Sequence, residues 1–213
     1  MHEIKTDKKE HILNVAEEVF SEFGYEGAST RYLAGQAGVN MAMLNYYFGS
    51  KDGLLKAVLE RRLAGTRQLL VQVIEQPDTS SEAKLAQAIE IYQNKLTTDR
   101  RFHRLIHREI SLSQRSELSD FLSENIVLNL NIFKTILEEG IRKGEFKPVD
   151  VEMTVASIFG IFYYIFNSRQ VTSKMLNKDL QNPEVLENEI KPRIKKFLHD
   201  YLQVFLLRPN NEI

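Results

Sequence analysis

The chain has 213 residues, 43% of them hydrophobic and 27% charged, with neither cysteine nor tryptophan, which is the composition of an ordinary globular protein long enough to bury a core. The missing cysteines exclude a disulfide scaffold, a thiol nucleophile, an iron–sulfur site and a zinc ribbon. A balance of 28 Lys+Arg against 29 Asp+Glu excludes a uniformly basic nucleic-acid coat and a polyacidic tail, so any DNA binding must come from local charge.

The first ten residues, MHEIKTDKKE, carry no apolar stretch and no small-residue cleavage site, and so do not read as a secretory signal. The longest apolar run, 158–166, is about half of the ~20 residues a spanning helix needs, and a cytoplasmic protein is expected. Prolines at 77, 148, 183, 192 and 209 fall between or at the edges of apolar-periodic stretches, and two-residue alternation bounded by turn dipeptides is missing. The expected fold class is all-α.

The first periodic segment runs over 8–23, with Ile12, Val15, Ala16, Val19, Phe20 and Phe23 on one face and Gly24 placed to end it. Two very short helices follow at 30–37 and 41–47. A long one begins after Ser50 and turns Leu54, Leu55, Val58, Leu59 and Leu63 inward. Helices this short are marginal alone and must be held by their neighbours. The polar stretch EQPDTSS at 75–81 reads as a linker. Beyond it, helices are expected at 82–97, 99–112, 117–143, 149–167 and 188–207, with the polar, Pro-containing stretch 169–187 as a loop.

The informative run is Thr30-Arg-Tyr-Leu-Ala-Gly-Gln-Ala-Gly38-Val-Asn-Met-Ala-Met-Leu-Asn45-Tyr-Tyr-Phe48. Thr30 and Asn40 can each cap a short helix, and Gly38 suits the left-handed turn between them. Small Ala34 admits close approach, and Leu33, Ala37, Val39 and Leu44 supply the apolar lock. This is a helix-turn-helix pattern, whose second helix enters the DNA major groove. Spacing alone also fits two short helices packed in some other helical domain.

The continuation narrows the choice. Gly38 to Leu55, ending in aromatic-aromatic-Phe-x-Ser-Lys-x-x-Leu, resembles the signature of TetR-family (tetracycline-repressor-like) transcriptional regulators. Upstream, Ile12-Leu-x-x-Ala-x-x-x-Phe20, Phe23-Gly-Tyr-x-Gly and Ser29-Thr30 resemble that family's first helix and turn. The likeness covers about residues 8–60. It implies a three-helix DNA-binding domain over 1–50, a connecting helix over 51–74, and a helical ligand-binding and dimerisation domain over 75–213.

The resemblance places Asn40, Met41, Ala42, Met43, Asn45, Tyr46 and Tyr47 where relatives contact DNA, with Thr30, Arg31 and Lys51 at the flanking backbone. Asn pairs with an adenine edge, and Ala or Met touches a thymine methyl. The hydroxyls of Tyr46 and Tyr47 suit phosphates, although one ring could instead pack on the first helix; Phe48 reads as core. Lys51 opens a helix against its dipole, and a phosphate there would bond both the ammonium and the exposed amides. Lys8 and Lys9 read equally as phosphate contacts or as a solvated helix start. Many relatives carry Tyr at Asn45 and Thr or Ser at Met43, which leaves the operator sequence open. Up to residue 50 there are four basic and seven acidic residues. Lys56, Arg61, Arg62 and Arg67 are expected to cancel that excess.

In the second half, residues 155–166 are apolar nearly all round and need cover on two sides. The resemblance implies that the last two long helices form a four-helix bundle with a partner's, with Phe159, Phe166, Phe197, Tyr201 and Phe205 as interface candidates. Such a homodimer would set two recognition helices roughly 34–36 Å apart on a palindrome. Candidate pocket-wall residues are Tyr92, His103, His107, Phe133, Phe162 and Tyr163, suited to a hydrophobic or aromatic small molecule. The same aromatics also read as plain core or dimer seam.

His103 and His107 stand at metal-ligand spacing, with Glu109 and His199 as conceivable further ligands. No third ligand is set by spacing, so neither metal nor cofactor is expected. The reading that results is a ligand-responsive regulator, a repressor on double-stranded operator DNA released by a small effector. An all-α enzyme on a hydrophobic substrate and an interaction module without DNA binding are the alternatives. Against the enzyme, the sequence has no Gly-rich phosphate loop and no convincing Ser-His-Asp arrangement.

Overall fold

The computed structural model describes residues 2–98, 100–112 and 116–207. Every regular element among them is helical: α1 His2–Gly27, α2 Thr30–Gln36, α3 Met41–Phe48, α4 Lys51–Ile74, α5 Ser81–Thr98, α6 Arg100–Leu112, α7 Ser116–Lys143, α8 Val151–Asn167, α9 Arg169–Leu176, α10 Pro183–Val185, a π-helical turn Leu186–Ile190, and α11 Lys191–Leu206. No single described helix is long and apolar enough to cross a membrane. Only α8 and α9 together reach that composition, and they are bent by 94°.

Packing gathers the chain into two compact units, residues 1–65 with 99–126, and 66–98 with 127–213. By packing, residues 99–126 join the first unit. Phe102, Leu105 and Ile106 of α6 and Leu118 and Leu122 of α7 are buried in one core with Ile12, Ala16 and Phe20 of α1, Leu33 and Leu44 of α2 and α3, and Leu55 and Leu59 of α4. Area removed from water, not order along the chain, decides where a helix belongs.

The core of the second unit holds Leu85, Ile89, Phe133, Ile136, Phe146, Ile158, Phe162, Leu198 and Leu202. A charge is buried at its edge. The Lys84 ammonium donates to the Ile74 carbonyl at 2.8 Å and stands 3.8 Å from Glu139. It thereby satisfies an orphan carbonyl at the end of α4.

The stretch 169–187 is not a loop, because its first eight residues form α9. Its polar side chains serve the elbow with α8: the buried Thr172 hydroxyl donates to the Ser168 carbonyl at 3.0 Å, and Ser173 Oγ accepts from the Leu180 amide at 3.2 Å. Asn177 ends the helix in the left-handed region at φ 51°. Leu180, fully buried, anchors the chain beyond.

Candidate nucleic-acid interface

Three short-range devices shape the α2–α3 pair. The cap of α2 is Ser29, not Thr30: Ser29 Oγ accepts from the Tyr32 amide at 3.1 Å, while Thr30 is already helical. Gly38, at φ 62°, makes the reversal, and the Val39 amide donates to the Ala34 carbonyl at 3.0 Å. Asn40 Oδ1 then accepts from the Met43 amide at 2.8 Å, opening α3 as its sequence predicts.

The far end of α3 is held as tightly. The amide of Ser50 donates to the Phe48 carbonyl at 2.8 Å, and Ser50 Oγ accepts from the Gly53 amide at 3.0 Å. A Cβ on Gly53 would lie 2.0 Å from the Phe48 carbonyl oxygen, so only glycine lets the first turn of α4 close onto the end of α3. Gly53→Ala is expected to cost about 1–3 kcal/mol, the range for forced overpacking. Gly65→Ala, in the same helix with open space around it, should instead gain about 0.5–1 kcal/mol from the better helix former. Urea unfolding of both variants checks the pair of signs.

The recognition-helix candidates divide into two faces. Met41, Ala42, Asn45 and Tyr46 are exposed, Tyr46 at 70%, and stand on one side of α3 with the cap residue Asn40. Leu44 is buried, and Met43, Tyr47 and Phe48 pack against the unit's core. Tyr47 is thus the tyrosine that turns inward, its ring 5.2 Å from that of Tyr46 and 6.2 Å from that of Phe48. Of the flanking residues, Arg31 is exposed and Thr30 half-buried.

Lys51 brings in a residue the sequence did not single out. Its ammonium lies 3.9 Å above the centre of the Tyr25 ring, a cation–π contact that orders the long side chain without neutralising it. The other cations of α4 are engaged differently. Arg61 bonds Glu10 at 3.1 Å, Asn14 at 2.8 Å and Glu17 at 2.7 Å, and Arg62 pairs with Glu17. Lys56 stands 4.4 Å over the Phe121 ring. Arg67, in the second unit, donates to Asn129 at 3.0 Å. Arg61 and Arg62 thus offset the acidic first helix by direct pairing.

The candidate pocket residues fall in both units. Tyr92, Phe133 and Phe162 meet in the second unit around Phe159: Tyr92 lies 4.5 Å from Phe159 and 5.4 Å from Phe162, and Phe133 lies 4.9 Å from Phe159. Burial pushes the Tyr92 phenol far above its ordinary range, so the hydroxyl stays neutral. Tyr163 is exposed. His103 and His107 belong to the other unit, on α6, where burial lowers the His107 imidazole below its ordinary value. No group of three metal-ligating side chains occurs among the described residues. A cavity of about 500 Å³ runs between α5 and α11 and is lined by none of the six.

The interface candidates are also re-sorted. Phe166 is buried and stacks 6.5 Å from Phe162, and Phe159 is half-buried in the aromatic cluster. On α8 the exposed residues include Met153, Ala156, Gly160, Tyr163 and Tyr164. On α11, Phe197, Tyr201 and Phe205 are exposed as expected, with Val204 beside them at 81%. The three rings stack in near-parallel steps of 6.1 and 5.7 Å.

The profile of bacterial regulatory proteins of the tetR family matches residues 12–58, and that of the tetracyclin repressor-like C-terminal domain matches residues 82–191. Over 199 residues the chain is 29% identical to the fatty acid metabolism regulator protein of Bacillus subtilis, spanning 92% of this chain and 98% of that one. The structure of the transcriptional regulator FadR from Bacillus subtilis in complex with stearoyl-CoA aligns with a TM-score of 0.66 at 25% identity, over 88% of this chain and 96% of that one. The fatty acid degradation regulator FadR from Bacillus halodurans aligns at 0.72 with 23% identity, over 92% and 96%.

Proposed function

Because the chain belongs to the TetR family of bacterial regulatory proteins, and is a transcriptional regulator and not an enzyme, we propose that it acts as a cytoplasmic repressor. A homodimer holds a palindromic operator through two copies of α3, and a small hydrophobic effector releases it. The observation that carries this reading is the outer face of α3. Met41, Ala42, Asn45 and Tyr46 stand in solvent on a helix whose opposite face is locked by Leu44, Met43 and Tyr47.

On that face Asn40 and Asn45 supply amides for adenine edges, and Met41 and Ala42 apolar contact for thymine methyls. Tyr46 supplies a hydroxyl for the backbone. Arg31 and Lys51 take phosphates, with Thr30 beside them, and set register without reading sequence. Met43 and Tyr47 support the helix from within. The exposed faces of α8 and α11 form the two-fold seam. The ligand of the B. subtilis relative supports a hydrophobic effector; to release DNA it need only favour the non-binding conformation by a few kcal/mol.

A salt titration tests the interface. Affinity for a specific duplex should fall steeply with salt, and Lys51→Ala should reduce the slope of log K against log[salt] by about two units per dimer, one for each lost phosphate contact. An unchanged slope would remove Lys51 from the interface.

A further inference from the structure

The cavity between α5 and α11 lies in the second unit, and its chemistry is uneven along its length. The two helices run antiparallel, as their cross-links show: Gln203 donates to Glu82 at 3.2 Å, and eight residues along α5 Lys195 pairs with Glu90 at 2.9 Å. These bridges mark off a slot of about 12 Å at the rise of an α-helix. Its floor is apolar, with Leu85, Ile89, Leu198, Leu202 and Leu206 drawn from the unit's core. Between the bridges the α5 wall carries only the small, exposed Ala86, which leaves the slot open.

The ends differ. Toward the Gln203–Glu82 bridge the rest of the lining is apolar: Phe146, Leu206 and Leu207. At the other end one turn of α11 presents Lys195, Lys196 and His199, facing Glu90 and Asp200. His199 is exposed and makes no hydrogen bond or ion pair among the described residues. This face of α11 is separate from the aromatic stripe of Phe197, Tyr201 and Phe205, so occupancy of the slot does not compete with that stripe.

We propose that this slot binds a free medium-chain fatty acid, its alkyl chain along the leucine floor and its carboxylate among Lys195, Lys196 and His199. The apolar length fits an unbranched chain, and the turn fits one compact carboxylate, with His199 open to it and with Lys195 and Lys196 shared with Glu90 and Asp200. A thioester with a nucleotide head would need cations well beyond a single turn. The assignment deepens the effector reading and rests on it only for the consequence at DNA; binding itself is measured without DNA.

The test is calorimetric titration of laurate, dodecanol and lauroyl-CoA into the full-length protein, in wild type and in Ala86→Trp and Gln203→Trp. The two variants fill the slot from opposite walls, so either can be read if the other fails to fold. Laurate should bind wild type once per subunit, and whichever Trp variant folds should lose about tenfold or more in affinity, the equivalent of a few displaced methylenes. Lys195→Ala combined with His199→Ala should weaken laurate but leave dodecanol unchanged. Laurate binding that is absent from wild type, or equal in wild type and a folded Trp variant, overturns the proposal. So does a slot that takes lauroyl-CoA in preference to laurate. Loss of operator binding in wild type would count against the regulator reading and not against the slot.

Discussion

With Tyr201 and Phe205 both replaced by glutamate, the protein should sediment as a monomer, and its affinity for the palindromic operator should fall by about a thousandfold or more, toward the non-specific level. The stripe Phe197, Tyr201, Val204 and Phe205 is the most continuous apolar surface that α11 exposes, and a contiguous patch of that kind marks a contact site. Two carboxylates in such a seam would have to be desolvated without partners. Folding of the subunit should be spared, because the inward face of α11 is a different set, Ile194, Leu198, Leu202 and Leu206. The loss at DNA follows from linkage: one half-site binds alone, and the second no longer gains from being tethered to it. Sedimentation and gel-shift titration at one salt concentration check both halves, and a variant that stays dimeric with full affinity would move the seam elsewhere.

Phe133→Ala should be the most destabilising single truncation of those considered, by about 3–5 kcal/mol. Phe133 is fully buried and meets Phe159 edge-on at 4.9 Å, and the cluster continues through Tyr92 to Phe162. Removing one ring leaves a void that three large rigid neighbours cannot close without losing their own contacts. The measurement is denaturant unfolding at fixed protein concentration, since any self-association would add to stability by mass action. A loss under about 1 kcal/mol would show that the cluster yields readily, as a ligand pocket's wall would.

Much of the first unit was legible because its signals are local. Gly38 and Asn40 act within a few residues of themselves and perform the turn and the cap their types allow, while Gly24, at φ 70°, kinks α1 and does not end it. Ser29 and Thr30 illustrate the limit: both can cap, and only the extended backbone of Ser29, φ −72° and ψ 150°, settles which does. Lys51 and Tyr25 are far apart in sequence, and nothing local links a lysine at a helix start to a tyrosine after a glycine.

The second half was less legible for physical reasons that differ by element. Residues 155–166 are apolar nearly all round, so hydrophobic periodicity carries no phase. Packing chose Val155, Ile158, Phe162 and Phe166 as the inner face and turned Tyr163 and Tyr164 out. The spacing of His103 and His107 puts both on one helix, but composition could not reveal that this helix packs with the N-terminal unit. In α9, polar side chains that read as a loop bond the backbone of an elbow instead.

Selection of bound sequences from random duplex DNA at moderate salt shows whether a dimer reads a symmetric operator through α3. The expected outcome is a two-fold symmetric consensus whose half-sites are centred about one helical turn, or a multiple of it, apart. Asn45→Ala should relax the preference at the same position in each half. Retention of DNA without any enriched sequence, or enrichment of a single asymmetric half-site, would contradict the account.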